Sequence, residues 1–213
     1  MKLHGYYRSS TSYRLRIALN LKGLDYTTVP VNLLQLEQRE DAFRTRNPFG
    51  GVPMLEAEGR DRAQSMAIIE WLDDRFPERP LLPADTEGRF TVRELSYAVA
   101  TELHAPLNLK VLQYLKSEFG QSQEAVDRWY RHWLANTLDP LERRLAQLGT
   151  GDFLLANPGM FEAVLIPQLY NARRFAYDLS TSPHLARIED ACAGLPAFIA
   201  AHPDRQPDTP KED

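Results

Sequence analysis

Residues 3–23, LHGYYRSSTSYRLRIALNLKG, constrain what this chain can fold into more than any other stretch. A short apolar and aromatic run, residues 3–7, has the composition of a strand. It leads straight into a hydroxyl cluster, Ser9, Ser10, Thr11 and Ser12. An amphipathic helix then begins, with Leu15, Ala18 and Leu19 on one face and Arg14 and Arg16 on another. Lys22-Gly23 supplies a cation in the last turn and a glycine stop. A strand that delivers the chain to a helix start gathers free N–H groups and a partial positive charge at one point, which suits an anion. Arg8 and the hydroxyls add to those donors, and the combination fits a thiolate or a carboxylate. The competing reading is that Ser9 or Ser10 is only an N-cap.

The rest of the first third continues the alternation. Residues 26–31 read as a second strand, 36–46 as a connection with helical character, and Asn47-Pro48-Phe49-Gly50-Gly51 as a turn cluster. Residues 52–56 and 61–63 read as short strands joined near Gly59, and 65–75 as a helix stopped by Pro77. The order β-α-β-α-β-β-α predicts a mixed sheet with helices on its faces. Residues 79–85, with Pro80 and Pro83, read as a linker. Beyond it the pattern is helical. Apolar positions Val92, Leu95, Val99, Leu103, Leu107, Val111 and Leu115 recur through 86–119. A second helix spans 123–148 with Trp129, Trp133 and Pro140, and a third spans 161–177 with Pro167. Residues 183–193 and 196–201 complete the set. The expectation is an α/β domain over 1–80 followed by an all-α domain over 86–202. Residues 203–213, proline-rich and charged, are expected to be a disordered tail.

Composition excludes several classes. A single cysteine, Cys192, rules out an internal disulfide and argues against structural zinc. It lies in an apolar helical pattern, so it reads as a small buried residue. Any thiol chemistry would need a thiol from a small molecule. The net charge is −4, with 12 Lys+Arg against 11 Asp+Glu in residues 1–84 and 13 against 18 in the remainder. That is no footprint for nucleic acid. No run approaches the roughly 20 apolar residues that span a bilayer, and the N-terminus is not a secretory signal, so the expected location is cytoplasmic. There is no Gly-rich phosphate loop, no motif around a serine nucleophile and no C-x-x-C.

Four further constellations could bear on chemistry. In Gly51-Val52-Pro53-Met54-Leu55 a proline enters a strand. If the bond before it is cis, Val52 can turn its backbone toward a bound peptide; otherwise this is a strand-edge proline. Gln64-Ser65 opens a helix, with Ser65 as N-cap, and can hold a carboxylate or simply cap. His104 and Asn108 stand four apart on one expected helix face and could reach a ligand, or merely pack. Arg173-Arg174 at a helix end suits bidentate carboxylate binding or a surface ion pair. No further ligands at suitable spacing support a metal site.

Together these residues resemble the zeta class of glutathione transferases, the maleylacetoacetate and maleylpyruvate isomerase family. RSSTSYRLRIALNLKG looks like that family's active-site segment, and NPFGGVPML, QSMAIIEWLDD, ELHAPLNLKVLQYL and VLIPQLYNARRF follow in its order and spacing. The resemblance implies a thioredoxin-like domain followed by a helical bundle, a homodimer, and glutathione as a cofactor regenerated in each turnover. It gives Ser9 the thiolate-stabilising role, with Ser10 and Thr11 nearby. It pairs Val52 and a cis Pro53 with the cysteinyl backbone, gives Gln64 and Ser65 the glutamyl end, and brings His104 and Asn108 to glutathione. Arg8 and Arg173 or Arg174 would bind the carboxylates of a dianionic substrate. The activity implied is cis–trans isomerisation of a maleyl-type diacid. The rivals are a general glutathione-conjugating or haloacid-dehalogenating transferase and a non-catalytic interaction module.

Some positions depart from the family pattern. Thr11 stands where animal members have cysteine, and Phe49 where a polar glutathione contact is usual. Gln38 replaces a histidine of the maleylpyruvate isomerases, and Lys110 stands where an arginine pair can occur. Gly159 and Glu162 replace a Thr/Ser…Asp capping box, and losing a hydroxyl N-cap costs about 1 kcal/mol.

Overall fold

A computed structural model describes residues 1–210 and divides the chain into two compact units, Met1–Leu82 with the segment from Ala193 onward, and Pro83–Cys192.

In the first unit, β1 (Lys2–Gly5), α1 (Ser10–Lys22), β2 (Thr27–Pro30), α2 (Asp41–Arg46), β3 (Met54–Ala57), β4 (Arg60–Ala63) and α3 (Ser65–Arg75) follow the expected order. The sheet runs β2-β1-β3-β4. β1 and β2 are parallel, with Leu3 opposite Thr28; β1 pairs antiparallel with β3, Leu3 opposite Leu55, and β3 with β4, Met54 opposite Ala63. β2 lies at the sheet edge, where Pro30 breaks no ladder on its outer side. Leu15, Ile17, Leu19, Leu55, Ile68, Ile69 and Leu72 form the core. Gly23 ends α1 in the left-handed region at φ 66°, with Leu24 N–H returning to Leu19 O as a helix stop. Gly5 permits a close approach, because a Cβ there would stand 3.0 Å from Ser12 Oγ.

α1 is not amphipathic in the expected way. Arg14 is 1 % and Arg16 2 % exposed. The helix is covered on both sides, packing against α3 and against α9 (Pro196–Ala201). Arg16 tolerates burial by donating to Ala201 O at 2.8 Å and Tyr7 O at 2.9 Å. Buried Lys22 pairs with Asp73 at 3.2 Å.

The C-terminal expectation is corrected in two ways. α9 belongs with the first unit, so the helical domain does not run to 202. The described part of the expected disordered tail, residues 203–210, is a folded strap with a short 3-10 turn at Pro203–Arg205. Gln206 Nε2 donates to His202 O and Ala200 O, and Asp208 Oδ2 accepts from Tyr7 N–H at 2.8 Å. Composition missed this because side-chain hydrogen bonds of Gln206 and Asp208, together with the burial of Pro203, fasten the strap. The last three residues of that expectation lie outside the described range.

The second unit contains α4 (Thr86–Tyr97), α5 (Leu109–Ser117), α6 (Gln123–Leu148), α7 (Met160–Arg174) and α8 (Pro183–Ala193). The expected continuous helix over 86–119 is broken. A π-helical turn, Ala98–Leu103, ends at His104, whose N–H returns to Val99 O, and Pro106 lies in the turn that follows. Pro106 has no N–H to continue the ladder. At α7 Gly159 has no side chain to cap the helix, but Glu162 Oε2 still accepts from Gly159 N–H at 2.8 Å and Oε1 from Leu154 N–H at 2.7 Å. Half of the capping box therefore survives. Burial pushes the Glu162 carboxyl up, against the pull of those N–H groups. Cys192 is buried, and desolvation raises its thiol well above the usual range, with Glu162 adding to the rise. No helix among the described residues is long and apolar enough to cross a membrane.

Candidate functional site

Ser9 is the N-cap of α1, in extended backbone, and its Oγ accepts from Ser12 N–H at 3.3 Å. The capping reading and the functional reading thus fall on the same residue. Ser9 Oγ lies 3.0 Å from Thr11 Oγ1. Thr11 Oγ1 donates to Val52 O at 2.9 Å. A hydroxyl has one hydrogen, so Thr11 has none left for a ligand while that bond holds. Ser9 keeps its hydrogen and can turn it from Thr11 to an arriving anion. Ser10 is the buried first residue of α1. Within the trio the donor role therefore falls to Ser9, with Thr11 joining the helix start to the loop before β3.

The loop from Tyr6 to Ser9 is held by its backbone. Ser9 N–H donates to Tyr6 O, Tyr6 N–H to Ser12 Oγ at 3.3 Å, Arg16 reaches Tyr7 O, and Asp208 takes Tyr7 N–H. Arg8 follows directly, its guanidinium 5.7 Å from the Tyr7 ring centroid. Asp208 is a residue that sequence reasoning missed, because it stands some two hundred positions away.

Val52-Pro53 is cis and immediately precedes β3. Asn47, almost fully buried, donates from Nδ2 to Gly51 O at 2.7 Å and accepts from Phe49 N–H at 3.2 Å, shaping the turn. The Phe49 ring is 74 % exposed. Gln38 is buried, with Oε1 unpartnered among the described residues.

Ser65 is not an N-cap. It is the first residue of α3, and Gln64 holds the cap position at φ 69°, without a side-chain cap bond. A non-glycine residue at positive φ costs of order 1–3 kcal/mol and is concentrated at functional sites. Glutamine is a poor N-cap signal, so the sequence pointed one residue too far. Ser65 Oγ accepts from Arg14 Nη1 at 3.1 Å.

In the second unit, His104 and Asn108 do not share a helix face. His104 follows the π turn, and Asn108 caps α5, its Oδ1 accepting from Lys110 N–H at 3.2 Å. The two remain neighbours, Asn108 Nδ2 standing 3.4 Å from His104 Nε2, and Gln168 Nε2 lies 3.3 Å from His104 Nδ1. The arginine pair at the end of α7 splits. Arg173 pairs with Glu189 of α8 at 2.7 Å. Arg174 Nη1 donates to Asn171 Oδ1 at 3.3 Å and lies about 6 Å from the Tyr170 and Phe175 rings, with no acid partner among the described residues. Among the described residues no group of three or more His, Cys, Asp or Glu side chains is gathered to hold a metal.

The first unit therefore combines a hydroxyl at a helix start, a cis Val52-Pro53 bond at the entry to β3 and a second helix start at Ser65. The family resemblance assigns these three places to the thiolate, the peptide backbone and the glutamyl carboxylate of glutathione. Known proteins point the same way. Residues 3–80 match the family model for the glutathione S-transferase N-terminal domain. The chain is 43 % identical to a maleylacetoacetate isomerase of Pseudomonas aeruginosa, over 99 % of each sequence. It is similar to the holo structure of a bacterial maleylpyruvate isomerase of the zeta class, with a TM-score of 0.96 and 40 % identity, covering 99 % of this chain and 100 % of that one. A maleylacetoacetate isomerase from Methylobacterium extorquens AM1, solved with bound malonate and glutathione, gives a TM-score of 0.94 at 33 % identity, with coverage of 99 % and 100 %.

Proposed function

Because the chain belongs to the zeta class of glutathione transferases, the maleylacetoacetate and maleylpyruvate isomerase family, we propose that it is a glutathione-dependent enzyme that isomerises a maleyl-type diacid from cis to trans. The observation that carries this reading is the division of labour in the hydroxyl cluster: Thr11 spends its hydrogen on Val52 O, leaving Ser9 to donate. When bound, glutathione supplies a thiolate that adds to the cis double bond, allows rotation, and leaves again.

The chain's own residues prepare that chemistry. Ser9 donates to the thiolate and holds the thiol pKa below its ordinary value of about 8.5. The start of α1 adds a partial positive charge at the same point. Val52 pairs with the backbone of the tripeptide, and Gln64 and Ser65 take its glutamyl end. Arg8 neutralises a substrate carboxylate and steadies negative charge that develops beside the double bond. The assignments of His104 and Asn108 to glutathione, and of Arg174 to a second carboxylate, rest on the family resemblance. Arg174 is preferred to Arg173 because Arg173 already has Glu189. Assembly as a homodimer and a place in the cytoplasm rest on the same resemblance.

The test is an isomerase assay with maleylacetoacetate and with maleylpyruvate, each with and without glutathione. Turnover of either diacid that requires glutathione and regenerates it supports the proposal. Conjugation of neutral electrophiles without isomerisation of either diacid would replace it with the general-transferase reading.

A further inference from the structure

Arg14 is the one buried cation of α1 whose charge the fold leaves unanswered among the described residues. Lys22 has Asp73, and Arg16 has two backbone carbonyls. Arg14 is 1 % exposed, donates from Nη1 to Ser65 Oγ, and leaves Nε and Nη2 without partners. Burial alone lowers its pKa, to about 10, with no carboxylate acting the other way. An unpaired buried charge is among the costliest features a fold can keep. Its hydrogen-bond partner is the first residue of α3, a helix with no side-chain cap and no acidic residue in its first turn. The positive end of the helix dipole therefore adds to the imbalance.

We propose that Arg14 is a positioning residue for carboxylate binding at the start of α3. Arg14 Nη1 fills an acceptor position on Ser65 Oγ, so the single Ser65 hydrogen is left to donate outward. The group it would meet is the α-carboxylate of the γ-glutamyl residue. This rests on the reading that glutathione is the ligand. The guanidinium is thus a standing charge that destabilises the ligand-free protein and is balanced when the carboxylate arrives.

That account separates stability from binding in a way a structural arginine would not. The experiment compares wild type, Arg14→Lys, Arg14→Met and Ser65→Ala by thermal unfolding without ligand and by calorimetric binding. The ligands are glutathione and γ-aminobutyryl-cysteinylglycine, which lacks only the α-carboxylate. Arg14→Met should unfold at the wild-type temperature or above it. Its affinity for glutathione should fall roughly 10- to 100-fold, the loss of a hydrogen bond to a charged group. Its affinity for the analogue should match that of wild type, and Arg14→Lys should recover part of the glutathione affinity. Ser65→Ala should show the same ligand dependence, and adding Arg14→Met to it should cost little more. A lower unfolding temperature for Arg14→Met, failure of that variant to fold, or equal losses for both ligands would overturn the inference while leaving glutathione binding intact. A wild type that binds neither ligand would overturn the glutathione reading itself, and the inference with it.

Discussion

At the start of α1 the polar groups answer one another: Ser9 accepts from Ser12, and Thr11 donates to Val52. At the start of α3 they do not. Gln64 contributes no cap bond, and the guanidinium behind Ser65 keeps two groups unpartnered among the described residues. A third helix start, that of α7, is filled from within by the carboxylate of Glu162. The difference shows what each start is suited to receive. In the proposed function the first presents a neutral hydroxyl to a soft anion and tunes its pKa. The second lacks a full negative charge and gains affinity when one is supplied. The third needs no ligand and serves folding.

Ser9→Ala should separate the first start from the second most strongly. Removing one preorganised donor to developing or held charge lowers kcat by about 10²–10³. Since Ser9 is also the cap of α1, stability should fall by about 1 kcal/mol as well, and thermal unfolding beside steady-state kinetics would resolve the two. A kcat loss no larger than that of Thr11→Ala would move the donor role to Thr11.

The third start is broken by Glu162→Ala, which strands two backbone N–H groups and should cost about 2–4 kcal/mol in denaturant unfolding. Its pH dependence has a definite sign. The folded pKa of Glu162 is raised, so its contribution is complete below the ordinary carboxylate range and is lost as pH rises through the raised value. Wild type should therefore lose stability relative to Glu162→Gln across that window. An opposite slope would mean that the N–H groups outweigh burial.

Charge specificity gives a smaller effect. Arg174→Met should reduce kcat/KM for diacids by about 1.5–3 kcal/mol and leave a neutral electrophile nearly untouched. Arg173→Met should change diacid kinetics little, because it removes an exposed ion pair worth at most about 1 kcal/mol of stability. Equal losses at the two positions would contradict the split seen at the end of α7.

Smaller still is the strap. Asp208→Ala frees Tyr7 N–H and should cost about 1 kcal/mol of stability, read by thermal unfolding. It should also loosen the turn that presents Arg8 and Ser9, raising KM for diacids more than for a neutral electrophile.

These contrasts show which parts of the molecule were legible beforehand. The helices 123–148, 183–193 and 196–201 were readable because their apolar spacing, proline starts and glycine stops act locally. The hydroxyl cluster was readable for the same reason. The break at His104 was not, since Val99 and Leu103 keep a helical spacing through the π turn and only Pro106 hints at a stop. Arg14 was placed only on a different face of an amphipathic helix from Leu15, Ala18 and Leu19, and an arginine is usually exposed. Its burial follows from packing by α3 and α9, and α9 returns from more than 170 residues away. The Asp208 bond to Tyr7 has no local signature either.

The central claim is that the start of α1 ionises a thiol through Ser9, and the ionisation of bound glutathione tests it most directly. Ultraviolet absorbance of the thiolate, followed against pH with saturating protein, gives the thiol pKa in wild type, Ser9→Ala and Ser65→Ala. The account predicts a fall from about 8.5 to below about 7.5 in wild type, a return toward 8.5 in Ser9→Ala, and the wild-type value in Ser65→Ala once binding is saturated. A wild-type thiol that titrates near 8.5, or a Ser9→Ala complex that titrates as wild type does, would contradict it.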